Sequence, residues 1–169
     1  GYETLVALTD GANNVAIGYN ALSTDDTGHG TVAIGAFALH SQDAGNAYNV
    51  GVGFNAGYSV STGIYNTIVG GGAGDALTTG SYNTALGYYA LQNNTTAEKN
   101  VAVGVETLET NTTGQYNTAL GTQALRLNTT ASDNTAVGYQ ASYANTTGTE
   151  NASFGRQALT SNTTGNYNT

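Results

Sequence analysis

The stretch GGGAGDAL at 70–77 holds residues of two familiar kinds of site. Glycines spaced around an Asp can hold calcium, and a glycine-rich loop can cradle phosphate with its backbone N–H groups. Asp75 sits one place early for G-G-x-G-x-D, and a plainer reading is a variant unit of a repeat. Asp25 and Asp26 adjoin, and Asp43 falls at a neighbouring position one unit later. Stacked together they would make a weak calcium site; apart, a solvated acidic edge. His29 and His40 have no carboxylate pattern around them, whereas a metal centre wants three or four converging ligands. Glycoside hydrolysis needs two facing carboxylates, and no pair stands out. Asn94, Asn111, Asn128, Asn145 and Asn162 begin N-x-T sequons on one line; Asn93 and Asn151 also qualify. They read either as glycan acceptors or as turns whose Asn and Thr bond the local backbone. Tyr recurs in two rows, with Tyr2, Tyr19, Tyr88 and Tyr139 in one and Tyr48, Tyr65, Tyr82, Tyr116 and Tyr167 in the other. Such rows can stack on sugar rings or pack across subunits with the hydroxyl wet, and packing is the expectation. No catalytic residue, metal or cofactor is expected.

All these residues hang on one period. Glycine marks it: Gly1, Gly18, Gly35, Gly53, Gly70, Gly87, Gly104, Gly121, Gly138 and Gly155. The spacing is 17 residues except from Gly35 to Gly53, where it is 18, with the extra residue expected within 45–49. Counting from each Gly as position 1, position 4 is always Ala or Thr, and position 5 is mostly Leu. Position 14 is Asn in nine units: Asn14, Asn49, Asn66, Asn83, Asn100, Asn117, Asn134, Asn151 and Asn168. Position 17 is apolar in every complete unit.

Seventeen residues is short for a helical repeat, and Gly in every unit with β-branched residues near its end opposes helix. Segments such as NTALG and NVAVG are short, β-prone and bounded by Gly and Asn. The sequence therefore predicts an all-β fold, a parallel β-solenoid of about ten coils, with residues 1–169 as one repetitive segment of a longer fibre. Strands stack about 4.8 Å apart, giving a rod of roughly 48 Å. Gly at position 1 would permit a corner that a side chain would block. The position-14 Asn residues would form a ladder, amide to amide, that caps the corner backbone.

Within NTALG the alternation puts positions 15 and 17 on one face and 14 and 16 on the other. The first face carries the larger apolar residues and is expected inside. The second, Asn and Ala, is small and uncharged, which suits close approach of another copy. A homo-oligomer follows, with three-fold symmetry the expected form.

Composition narrows the partners. The chain has 3 Lys and Arg against 11 Asp and Glu, a net charge of -8, and 8% charged residues. Three cations cannot neutralise a nucleic acid, and anionic membranes are disfavoured in the same way. No stretch approaches a membrane span, so no membrane insertion by this segment is expected. With no Cys, there are no disulfides or thiolate metal sites.

The N-[STV]-[VTA]-A-[IVL]-G core resembles the head repeats of trimeric autotransporter adhesins, and the NTTG between NTALG elements resembles repeats of phage tail fibres. The resemblance covers the whole chain and is strongest over 83–169; the first five units read LTD, DDT, QDA, VST and LTT where the later ones read NTT. It implies a left-handed β-roll assembled as a homotrimer, extracellular on a virion or cell surface. The function it implies is that of a non-enzymatic shaft or head that projects a receptor-binding element. Alternatives are a module holding host-surface polysaccharide along its Tyr and Asn rows, an ice-binding solenoid, or a tailspike-type glycan hydrolase.

Overall fold

Positions 15 to 17 of each unit are mostly β-branched or small and lie just before a glycine corner, and each of the first nine units forms one short strand there. The computed structural model describes all residues, Gly1–Thr169, and contains nine such strands and no helix. They are β1 (Val15–Ile17), β2 (Val32–Ile34), β3 (Val50–Val52), β4 (Thr67–Val69), β5 (Thr84–Leu86), β6 (Val101–Val103), β7 (Thr118–Leu120), β8 (Thr135–Val137) and β9 (Ala152–Phe154). All lie in one parallel sheet in chain order. Like meets like across it: Val15 faces Val32, Ala16 faces Ala33 and Ile17 faces Ile34, and Thr118, Ala119 and Leu120 face Thr135, Ala136 and Val137. The chain is a β-solenoid. The tenth unit, from Gly155, adds turns but no strand.

The rest of each coil is turns, yet it is as firmly tied to its neighbours as the sheet. Of 100 backbone hydrogen bonds only 16 lie within the strands, so most of the ladder runs through the turns. Positions 3, 5 and 13 adopt left-handed backbone in coil after coil; Gln123, Leu125 and Asp133 have φ of 59°, 49° and 61°. That region disfavours side chains, leucine above all. It persists because the amides it turns reach adjacent coils: Leu125 N donates to Ala141 O and Gln123 N to Val105 O. The position-1 glycines have φ near +130°, and a Cβ on one would strike the carbonyl of the next coil's glycine. This is why position 1 never varies. The extra residue of the 18-residue unit is taken up by a turn at Gly45 and Asn46, where the chain borders open space.

The two faces of the strand are the reverse of the sequence expectation. Position 16 points inward, with Ala33, Ala85, Ala102, Ala119 and Ala136 buried, and so does Asn at position 14. Positions 15 and 17 point out of the rod, and Ile17, Leu86 and Phe154 are 57%, 46% and 69% exposed. The cause is the narrowness of the coil. Leu22, Leu39, Leu91, Leu108 and Leu125 enter from the opposite wall at position 5 and fill the interior. Only Ala fits against them at close packing.

Losses of leucine at position 5 are met by changes at position 16 in coils four and nine. Coils four and five have Gly57 and Gly74 in place of Leu, and Ile68 replaces Ala and fills the gap. A Cβ on Gly74 would meet Ile68 Cδ1 at 3.3 Å. In coil nine, position 5 is Ser142 and position 16 is Ser153, and their hydroxyls bond at 2.9 Å inside the core.

Candidate functional site

The nine Asn residues at position 14 form one column along the rod. From coil three onward each side-chain oxygen accepts the backbone N–H of the next Asn, as from Asn66 to Asn49 at 2.7 Å and from Asn117 to Asn100 at 3.0 Å. Each Nδ2 donates to a position-11 carbonyl one coil on, as Asn49 does to Gly63 at 2.7 Å and Asn117 to Ala131 at 2.9 Å. Asn14 starts the column by accepting from Thr31 N and donating to Gly28 O. Asn168 ends it, donating through N and Nδ2 to Asn151 Oδ1.

The sequon asparagines form a second column, also inside. Asn94, Asn111, Asn128 and Asn145 are fully buried. Asn128 Nδ2 donates to Asn111 Oδ1 at 2.9 Å and to Ala131 O at 3.0 Å, and Asn145 repeats the pattern with Asn128 and Gly148. A glycan needs that nitrogen in solvent, so these four are poor acceptors in the folded chain. Asn162, in the last coil, is half-buried with the same bonds to Asn145 and Gly165. Asn151 is buried, whereas Asn93 lies on the surface. The following Thr95, Thr112, Thr129 and Thr146 hydroxyls each donate to the Thr carbonyl one coil on.

The acidic trio comes together: oxygens of Asp25, Asp26 and Asp43 lie within 4.8 Å of one another. Asp25 is buried and already engaged, accepting from Gly28 N at 2.7 Å and Gln42 Nε2 at 3.1 Å. Desolvation holds its carboxyl above the ordinary 3.8, against the pull of those two donors. His29 and His40 are apart. His29 Nδ1 accepts from Ala12 N, and the His40 ring stacks on Tyr58 at 4.9 Å.

Five of the row tyrosines stack along the chain itself, whereas Tyr116 and Tyr139 lie under Lys99 and Arg156. Tyr48, Tyr65 and Tyr82 lie face to face at 5.5 and 5.3 Å, and Tyr2 stacks on Tyr19 at 5.6 Å. Ring faces in these runs are spent on each other.

The glycine run at 70–77 has a different outcome. Gly71 and Gly72 stand where neighbouring coils carry Phe54 and Asn55 below and Tyr88 and Tyr89 above. The gap is the molecule's one cavity, about 360 Å³, and Asp75 and Gln92 also line it. Desolvation by the surrounding walls raises the Asp75 carboxyl above 3.8. In register the run is a repeat variant, with Gly70 at position 1 and Ala73 at position 4. Its visible signal as a site is the loss of a side chain at Gly71, between Phe54 and Tyr88, with a second glycine beside it. The chain matches no family model, no curated protein and no solved structure. No helix is long and apolar enough to cross a membrane.

Proposed function

We propose that this segment is a structural shaft or head of a surface fibre, in which copies of the chain cover one another's strand face. The observation that carries it is the outward side of β1 to β9. Positions 15 and 17 are Val, Ile, Leu, Thr, Ala or Phe throughout, with no charge and no large polar side chain. The strip runs for eight strand spacings, about 38 Å. Monomeric proteins rarely leave a continuous apolar patch of that kind in water. A parallel sheet is ordinarily covered on both faces, and here one face is covered by the chain's own interior.

The charged residues lie on the remaining walls, which keeps the fibre soluble and gives the strand face its direction. Three copies around one axis is the arrangement implied by the resemblance to trimeric adhesin and tail-fibre repeats. The role is mechanical. Each coil hydrogen-bonds the next through its turns, the strands add a ladder over nine coils, and the later coils add two interior columns, so the rod resists bending and carries a receptor-binding element away from a virion or cell.

Native mass spectrometry tests the reading. The expected result is a trimer, and a Leu86→Lys, Leu120→Lys double variant should be a monomer with an unchanged circular dichroism spectrum. A wild-type monomer at micromolar concentration would overturn it.

A further inference from the structure

We infer that the notch in coil five is a binding site for a neutral pyranose, the non-acidic sugar unit of a glycan. The notch opens at position 2, one residue past the glycine corner that ends the strand.

Its walls are aromatic and its rim is polar. Phe54 on one side is 61% exposed and Tyr88 on the other is 49% exposed, leaving ring surface open to the gap. The floor is Gly71 and Gly72, with backbone only. Tyr89 leans over Gly72 and packs against Tyr88, ring centroids 3.9 Å apart. The volume is at the lower end of small-molecule sites, enough for one ring and not a long chain.

Three polar side chains line the gap: Asn55, Asp75 and Gln92. None makes a side-chain hydrogen bond within the chain. Some glutamines of the later coils, by contrast, bond coil to coil. Gln123 donates to Glu106, Gln140 to Gln123 and Gln157 to Gln140. The Asp25 carboxylate is held by two donors, whereas Asp75 is partly desolvated with none. A desolvated carboxylate without a donor is costly, and a ligand hydroxyl removes that cost. The two amides can each donate and accept. Open aromatic surface with one acceptor and two amides matches a ring that is apolar on its faces and hydroxylated at its edge. The net charge of -8 and the lone carboxylate exclude sialylated or uronic sugars.

The repeat supplies a clean variant. Position 2 is Tyr in coils one, two, six and nine, and a Cβ on Gly71 meets Tyr88 at an ordinary 3.5 Å. Gly71→Tyr should therefore fold, complete the column and close the notch. A second variant, Asp75→Asn, keeps the shape and removes the acceptor.

The experiment is a glycan array carrying neutral and sialylated oligosaccharides, followed by titration calorimetry with the best neutral trisaccharide. Choline is the counter-probe, because aromatic rings beside a carboxylate can also hold a quaternary ammonium. Binding to neutral glycans is expected, weakened at least tenfold by Gly71→Tyr with the melting temperature held, and severalfold by Asp75→Asn. Thr122→Tyr, at the same position three coils away, should change nothing. Binding to none of the neutral glycans, a preference for sialylated sugars or choline, or equal affinity in a well-folded Gly71→Tyr chain would overturn the assignment.

Discussion

Coils one to five and coils six to ten share one backbone and fill it differently. At position 8 the first half carries Leu8, Asp25, Gln42, Val60 and Leu77; the second carries Asn94, Asn111, Asn128, Asn145 and Asn162. The first half mixes leucine and valine, which ask only for the right volume, with a local polar cluster of Asp25 and Gln42 whose partners are each other, Thr31 and Asn49. A polar column asks for particular atoms at particular heights, because each unsatisfied buried amide costs about 1–3 kcal/mol. From coil seven on, each Asn of the position-8 column has the next one as donor. The strict repetition of the second half and the looseness of the first are two answers to one interior.

The largest expected effect comes from restoring the consensus in the loose half. Ile68→Ala installs the residue that position 16 has in most coils. Gly57 and Gly74 leave no leucine to take up the space, so it should cost about 3–4 kcal/mol in urea unfolding. The reverse change in the strict half, Ala102→Ile, overpacks against Leu91 and Leu108 and should cost about 1–3 kcal/mol. If Ile68→Ala proves neutral, compensation between positions 5 and 16 is wrong.

In the strict half the sharpest cut is Asn117→Ala. It removes the acceptor of Asn134 N and Nδ2 and the donor to Asn100 Oδ1 and Ala131 O. About 3 kcal/mol of destabilisation is expected, with faster amide exchange at residue 134 than anywhere in the adjacent coils. Uniform exchange along the rod would count against the column as a structural unit.

These two sites also mark what the sequence makes legible. The period, the corner glycines and the Asn column can be read directly, because stacked coils demand the same group at the same height. Which strand face points inward cannot be read from that strand. Val, Ile and Leu at positions 15 and 17 carry the apparent core signal, but the interior width is set by leucines entering from position 5 on the far wall. The left-handed residues at positions 3, 5 and 13 are hidden for a related reason. Gly72, Gly74, Asn20 and Asn55 hint at them, yet Leu125 and Phe37 take the same conformation under the constraint of neighbouring coils. The notch is legible only as a break in a row, where Gly71 stands between Phe54 and Tyr88.

The junction between the halves tests whether a polar column can grow. Leu77→Asn would place an amide oxygen beneath Asn94, in the relation Asn111 has to Asn128. It should be less damaging with Asn94 present than in an Asn94→Leu chain, by about 1 kcal/mol in a double-mutant cycle. Zero coupling would mean the column is a string of local turns, each bonded only to its own carbonyl three residues on.

Acid should act on the loose half first. Asp25 is buried between Gly28 and Gln42 with its carboxyl raised above 3.8 by desolvation, and Asp75 is raised for the same reason. The folded chain then holds their protons more tightly than the unfolded one. Stability rises as pH falls through the folded value toward 3.8, and that gain is absent at neutral pH. Melting temperatures at pH 4.5 and 7.5 should differ less in Asp25→Asn than in the wild type. An equal difference would assign the pH dependence to other carboxylates.

The smallest effect concerns what both halves share, the left-handed backbone at position 13. Coil two has Gly30 there, and coil nine has Glu150 with φ 55°. Glu150 is exposed and its side chain makes no bond, so only the backbone is at stake. Left-handed conformation costs a side chain about 1 kcal/mol, and glycine's greater freedom in the unfolded chain offsets part of the relief. Glu150→Gly should therefore stabilise by about 0.5 kcal/mol or less, a small upward shift in melting temperature. A drop of similar size would mean that the neighbouring coils have already absorbed the strain, so that the halves differ in their interiors alone and not in the backbone that carries them.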